Sequence, residues 1–124
     1  MLNALYMYFI LALIPHKKHT YSIHGLWPQY SEDSWPEFCS NVPFKMDKIQ
    51  DLLPELKEYW WSYDGDNEHF WKHEFEKHGT CSNMDEHQYF RTALDCYYKY
   101  KKEGIIEHYR HGKTIKIVIH NLIF

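Results

Sequence analysis

The chain has 124 residues, of which 19% are aromatic, and a formal net charge of −3 when its histidines are neutral. This length fits one domain with a single core, and the weakly acidic charge excludes a basic nucleic-acid coat protein. Protonation of the ten histidines at acid pH would make the chain net positive and attractive to a polyanion.

Two strands are predicted in the first third of the chain. Residues 1–14 are largely apolar, but a membrane span takes about 20 such residues. They fit a signal sequence or, the interpretation we favour, a buried strand over residues 5–14. Residues 19–24 alternate in polarity and predict a second strand that ends at Gly25 and Pro28.

Helices are predicted after a loop that reaches about residue 43. Apolar spacing indicates a helix over residues 45–61 that is kinked or broken at Pro54. A second helix begins at Asn67 as N-cap and ends before Gly79. A third covers residues 84–103 and ends at Gly104, and residues 114–119 read as a strand.

Residues 70–81, with the sequence FWKHEFEKHGTC, carry an unusual concentration of chemistry. Side chains four apart share one face of a helix, so His73 is expected beside Lys77 and Glu74 beside His78. Such a cluster can transfer protons and hold an anion, which metal-free phosphoryl transfer requires. Upstream, residues 23–29 read IHGLWPQ, and His24 before a glycine is expected to project into a cleft.

Together these two segments resemble the two active-site segments of the ribonuclease T2 family. That family carries [Ile/Leu]-His-Gly-Leu-Trp-Pro and Trp-x-x-His-Glu-[Trp/Phe]-x-Lys-His-Gly-Thr-Cys, and both are intact here and in order. A looser similarity extends from Phe9 to Gly104. The resemblance implies an α+β fold, an antiparallel sheet with helices packed on it. It predicts a single, partial domain over residues 1–124, truncated after the third main helix.

The resemblance also implies an endoribonuclease that cleaves single-stranded RNA by transesterification to a 2′,3′-cyclic phosphate, without metal or cofactor. By matching position, His24 and His78 are the general acid and base, and each such proton transfer supplies about 10²–10⁴-fold. Glu74 and Lys77 would stabilise or protonate the phosphorane, and His73 would bind phosphate. DNA is not expected to be cleaved, because the nucleophile is the 2′-OH.

The sequence leaves open which histidine is the base. The helix macrodipole and Glu74 favour a protonated His78, whereas Lys77 opposes it, and the balance favours His78 as the acid. The family positions nearest the first base pocket are Trp27, Gln29, Tyr30 and Trp35. Core or loop packing is an equally good interpretation of the two tryptophans.

Cysteine positions bear on the compartment. The family resemblance implies a disulfide between Cys39 and Cys81, closing a loop of about forty residues and contributing about 2–4 kcal/mol, and it leaves Cys96 as a buried thiol. This favours a secreted or an endomembrane, lysosome-like location. Three reduced cysteines in a cytosol are the alternative.

A zinc site and a non-catalytic role are the competing hypotheses. His73 and His78 are five residues apart and therefore cannot chelate together as in HExxH, although His69, His73, His108 and His111 offer another ligand set. Compared with the family, the passage Pro15–Tyr21 is short and lacks cysteine, and later strands have no evident counterpart after Gly104. Residues 114–124, a partner chain or self-association would then cover the sheet. A truncated, weak or inactive RNA-binding or interaction module is the alternative function.

Overall fold

A computed structural model describes residues 8–16, 20–106 and 114–122. The strands are β1 (Tyr8–Pro15), β2 (Tyr21–Gln29) and β3 (Ile115–Ile119). The α-helices are α1 (Leu53–Tyr59), α2 (Asn67–Lys77) and α3 (Glu86–Lys102), with 3₁₀ turns at Met46–Leu52 and Gly79–Cys81. The strands form one antiparallel sheet in the order β2-β1-β3. The predicted α+β fold is therefore confirmed.

One face of this sheet is buried in the core, where it receives every second side chain of each strand. Leu11, Leu13 and Ile23 are fully buried there, and Ile115, Ile117 and Ile119 add the β3 part of the face. The core is completed by buried rings from the helical half of the chain: Trp60, Trp71, Phe75, Tyr89 and Phe90. The rich aromatic content thus serves largely for packing.

The opposite face of the sheet carries two rows of paired residues. Trp27 pairs with Ile10, which pairs with Val118 on the other side of β1. In the next row, Gly25 and Lys116 both pair with Ala12. The second row therefore has two very small residues beside one long cationic side chain.

The predicted end of β2 at Gly25 and Pro28 is wrong, since the strand continues to Gln29. Pro28 pairs with Phe9 on β1, and β2 is an outer strand of the described sheet. An outer strand tolerates proline because its outward amide has no strand partner to lose. Gly25 lies at a register irregularity inside the strand rather than at its end.

The helices occur close to the predicted positions. The segment 45–61 divides into a 3₁₀ turn and α1, and Pro54 lies in the first turn of α1, where its missing amide costs nothing. The N-cap of α2 is Asp66, whose side chain accepts from the His69 amide; the assignment of Asn67 was wrong by one residue. Gly104 follows α3 with a φ of 75°, as predicted for the residue that closes this helix.

Some sequence predictions fall outside the described residues: the beginning of the apolar run, and His108 and His111. Within the described ranges, no helix has the length and apolar character needed to cross a bilayer.

Candidate active site

A β-bulge in β2 positions His24. Ala12 pairs with Gly25, but the next β1 residue, Leu13, pairs with Ile23, so His24 is an extra residue without a partner on β1. The buried Trp60 indole donates to the His24 carbonyl at 3.0 Å. A bulge redirects the side chain of its extra residue, and His24 remains half-exposed at a cavity on the open face of the sheet.

The backbone beside this bulge is held by a buried tyrosine. The Tyr89 hydroxyl, on α3, donates to the Leu26 carbonyl at 2.8 Å and accepts from the Leu26 amide at 3.2 Å. Trp60 and Tyr89 therefore fix the chain on both sides of Gly25 through core side chains. The bulge depends on the packed helices as well as on the local sequence.

Glu74 is buried at the centre of the site. Its Oε1 accepts from Trp27 Nε1 at 2.9 Å, and its Oε2 lies 3.7 Å from His24 Nε2. A Cβ at Gly25 would overlap both Glu74 Oε1 and Trp27 Nε1. Glycine is therefore required here for space, so that the carboxyl group can approach the strand.

His78 caps the C-terminal end of α2 one turn beyond Glu74, as the helical spacing predicts. Its ring stacks on Trp27 with 5.1 Å between the centroids and 26° between the planes. The side chain is buried, and its Nδ1 has no hydrogen-bond partner among the described residues. An imidazolium would place an unpaired N–H there, which favours the neutral ring.

Burial dominates the electrostatics of this cluster. It raises the pKa of Glu74 to about 7, although the Trp27 hydrogen bond and the Lys77 charge lower that value. Burial also lowers the pKa of His24, with smaller effects from His73 and Lys77. Burial thus moves the pKa values of these two neighbours in opposite directions and favours the neutral form of each.

The same effect is larger at His78. Burial, followed by Lys77, lowers the pKa of His78 to about 3. The expectation that the helix C-terminus and Glu74 would favour a protonated His78 is wrong for the free protein. The charged ring loses more hydration free energy on burial than it gains from the screened macrodipole. In addition, Glu74 is largely neutral at acid pH.

Lys77 and His73 lie at the rim of the site. Lys77 Nζ is 3.6 Å from Glu37 Oε1, and Glu37 also accepts from the Trp35 indole at 2.8 Å. His73 is exposed on α2, and its ring makes an edge contact with Phe38 at 6.5 Å. Glu37 was not predicted from the sequence, because its pairing with Lys77 depends on how the loop after β2 folds back.

These side chains line one cavity of about 610 Å³. Its lining from the helical side comprises His73, Glu74, Lys77 and His78; the sheet and the following loop contribute Tyr8, Ile10, His24, Trp27, Gln29, Glu32, Trp35, Glu37, Lys116 and Val118. The structure thus brings together all five residues expected to carry the chemistry.

The four residues suggested for base binding are placed differently from one another. Trp35 is 47% exposed at the cavity, whereas Gln29 is buried there and donates to the Ser31 carbonyl at 2.9 Å. Trp27 packs between catalytic candidates. Tyr30 does not belong to the described lining.

The cavity also contains residues that the motifs do not cover. Lys116 and Val118 reach it from β3. Alternate residues of β3 share a face, and the pairing of β3 with β1 brings that face to the site.

A disulfide joins Cys39 to Cys81, with 5.1 Å between the Cα atoms, and Cys96 is a buried free thiol. The implied pairing is confirmed. The bridge attaches the loop that carries Trp35 and Glu37 to the turn following His78, and the Phe38 amide donates to the Lys77 carbonyl at 2.8 Å beside it. One wall of the cavity is held covalently.

Among residues 8–16, 20–106 and 114–122, no three His, Cys, Asp or Glu side chains form a group suited to a metal ion. His69 and His73 both lie on the exposed side of α2.

Comparison with known proteins agrees with this geometry. The chain is 42% identical over 95 residues to Ribonuclease DdI of Dictyostelium discoideum, a match that covers 73% of this chain and 43% of that protein. It is 46% identical over 81 residues to Ribonuclease 1 of Arabidopsis thaliana, covering 60% of this chain and 35% of that protein. The chain thus spans less than half the length of these curated relatives.

Solved structures give the same result. Ribonuclease MC1 from the seeds of bitter gourd superposes with a TM-score of 0.67 at 29% identity, covering 76% of this chain and 58% of that one. RNase NT, solved in complex with 5′-AMP, gives 0.66 at 29% identity, covering 81% and 63%. The model of the Ribonuclease T2 family matches residues 9–112. On this match and this fold, the chain belongs to the ribonuclease T2 family.

Proposed function

We propose that this chain is an endoribonuclease that cleaves single-stranded RNA by transesterification, leaving a 2′,3′-cyclic phosphate. The observation that carries the proposal is the convergence of His24, Glu74 and His78 on one cavity, with Lys77 at its rim. Two proton-transfer groups, a buried carboxyl and a cation are what cleavage of a phosphodiester without a metal requires.

In the proposed reaction His78 is the general base. Its burial and its unpaired Nδ1 support a neutral ring that can take the proton of the ribose 2′-OH. The 2′-oxygen then forms a bond to phosphorus as the bond from phosphorus to the 5′-oxygen breaks. This assignment reverses the one favoured from the sequence, for the reason that burial outweighs the helix dipole.

His24 is the general acid in this scheme and protonates the departing 5′-oxygen. Its Nε2 lies 3.7 Å from Glu74 Oε2, and a bound phosphate would favour the charged imidazole. Its half-exposed side chain can reach a substrate in the cavity. His78 thus acts on the attacking 2′-oxygen, and His24 acts on the departing 5′-oxygen.

Glu74, Lys77 and His73 would act on the phosphoryl oxygens. A carboxyl with a pKa of about 7 is mostly neutral at acid pH, so Glu74 can donate a hydrogen bond to phosphate without repelling it. Lys77 supplies positive charge, and His73 lies exposed where an incoming phosphate would pass. Trp35, Gln29 and the Trp27 edge offer contacts for a base.

Two further inferences follow from the same chemistry. DNA should be bound but not cut, because it lacks the 2′-OH. The disulfide supports an oxidising location, secreted or within a lysosome-like compartment. A domain with the same contacts that binds RNA without cleaving it is the alternative, since the chain covers only part of its relatives.

The test is digestion of a single-stranded RNA at about pH 5, below the ordinary histidine pKa, by the wild-type chain and by His24→Ala and His78→Ala. Cleavage by the wild type that falls at least about 100-fold in both variants supports the proposal. Wild-type binding without cleavage would favour the non-catalytic alternative. A His69→Ala variant, changed at an exposed histidine of α2 outside the cavity lining, is the matched control.

A further inference from the structure

Among the described residues that line the cavity, Lys116 is the cation that comes from outside the family motifs. It lies on β3, beyond the matched residues 9–112, and its Nζ is 5.8 Å from the centre of the Trp27 ring. Trp27 in turn contacts both His78 and Glu74. Lys116 therefore stands beside the proposed reaction centre without being part of it.

The sheet register explains how a residue on β3 reaches β2. Lys116, Ala12 and Gly25 form one row across the three strands. Neighbouring strands are about 4.8 Å apart, so the extended lysine must cross β1 to approach Trp27. Only a methyl group and a hydrogen stand in that row, which leaves space for the side chain.

The charge of Lys116 is not neutralised by the described residues. Lys77, the other cavity lysine, is paired with Glu37 at 3.6 Å, but no described carboxylate lies within ion-pair distance of Lys116. An ammonium beside an aromatic ring, open to a cavity and without an acidic partner, is suited to hold an anion.

We propose that Lys116 binds a phosphate of the RNA that flanks the scissile one, on the side of the nucleotide that contacts Trp27. The inference rests on the proposed function for the identity of the polymer. Lys116 is too far from the His24–Glu74–His78 cluster for any ion pair there and is not needed for proton transfer. It would give this chain an additional contact that lowers KM and favours substrates longer than a dinucleotide.

A binding experiment tests this independently of cleavage. The ligands are a 2′-O-methyl trinucleotide, which cannot be cleaved and carries a flanking phosphate, and a 2′-O-methyl dinucleotide with a single phosphate. The variants are Lys116→Met, which keeps an apolar stem, Lys116→Arg, which keeps the charge, and Lys102→Met, which removes an exposed charge from the end of α3. The tryptophan fluorescence spectrum, to which all five indoles contribute, checks that the indole environments are retained.

Lys116→Met is expected to weaken trinucleotide binding about two- to fivefold and to reduce the salt slope of log Kd by about 0.7. Dinucleotide binding should be unchanged, Lys116→Arg should bind like the wild type, and Lys102→Met should have no effect. Equal losses on both ligands would overturn the proposal in favour of a packing role at Trp27. If Lys116→Met and Lys102→Met changed trinucleotide binding by the same factor, the proposal would be overturned, because any loss would then reflect general electrostatic attraction between the chain and RNA. A wild-type chain that did not cleave RNA would refute the proposed function. The binding results would still decide whether Lys116 holds a flanking phosphate.

Discussion

The Trp27 indole donates a hydrogen bond of 2.9 Å to Glu74 Oε1, and the same ring stacks against His78. A tryptophan that first suggests a base-stacking platform is thereby also a positioning residue for both buried groups. Its hydrogen bond favours the ionised carboxylate and keeps the pKa of Glu74 lower than burial alone would make it.

Trp27→Phe should therefore raise the pKa of Glu74 and lower kcat about tenfold, since a hydrogen bond to a charged group contributes about 1.5–3 kcal/mol. The pH profile of kcat/KM is the diagnostic measurement. Its alkaline limb should move to higher pH, whereas simple loss of packing would lower the whole profile without shifting it. Tyr63→Phe, which removes a hydrogen bond to the Pro15 carbonyl outside the main cavity, should shift nothing.

The wild-type pH profile should be a bell on the acid side of neutrality. Activity rises as His78 loses its proton near pH 3 and falls as Glu74, which must be neutral to donate to phosphate, loses its proton near pH 7. The maximum should therefore lie at about pH 5. A kcat/KM that does not change between about pH 4 and 8 would contradict the two-histidine scheme.

Glu74→Gln should separate stability from activity. The folded pKa of Glu74 is raised from 4.5 to about 7, so its contribution to stability is present below the unfolded value and is lost as pH rises through the folded one. The neutral glutamine avoids this loss, which corresponds to about 3 kcal/mol. The free energy of unfolding of Glu74→Gln, measured relative to that of the wild type, should therefore be about 3 kcal/mol higher at pH 8 than at pH 4. At the same time, kcat should fall about 100-fold.

Urea unfolding at the two pH values measures this difference. Glu68→Gln, at an exposed position in the first turn of α2, should leave the pH dependence of stability as in the wild type. A wild-type chain whose stability relative to Glu74→Gln is the same at both pH values would mean that Glu74 ionises normally.

Removal of the disulfide should affect both stability and substrate affinity. Cys39→Ala opens a loop with a sequence separation of 42 residues and should lower the free energy of unfolding by about 2–4 kcal/mol. KM should rise more than kcat falls, because the released loop carries Trp35 and Glu37 but neither histidine of the cluster.

Mild reduction of the wild type should reproduce both effects and have no further effect on Cys39→Ala. Denatured, unreduced wild type should react with one equivalent of an alkylating agent, at Cys96.

The sequence predicted the residues of the site better than their environment. Periodicity placed Glu74 one turn before His78, because neighbours on a helix are set by local geometry. The bulge at His24 could not be predicted in this way, since it depends on the register between β1 and β2 and on the Trp60 and Tyr89 hydrogen bonds. Lys116 could not be predicted as a site residue for the same reason, because it reaches the cavity through the long-range pairing of β3 with β1.

The reversed expectation for His78 has a similar cause. A helix position and neighbouring charges can be read from a sequence, but the degree of burial depends on tertiary packing against Trp27. Desolvation of the buried ring then lowers the pKa of His78 more than the helix dipole raises it. Strand β2 was ended too early for a related reason, because proline and glycine are tolerated in an outer, bulged strand.

In the proposed reaction, this chain cleaves RNA by internal attack of a 2′-OH, assisted by His24 and His78. The most direct measurement uses a DNA oligonucleotide containing a single ribonucleotide, incubated at about pH 5 and analysed by mass spectrometry. We expect one cut, on the 3′ side of the ribonucleotide, with a 2′,3′-cyclic phosphate end that is absent from His24→Ala and His78→Ala digests. Cleavage at deoxynucleotides, or an intact oligonucleotide that is nevertheless bound, would contradict it.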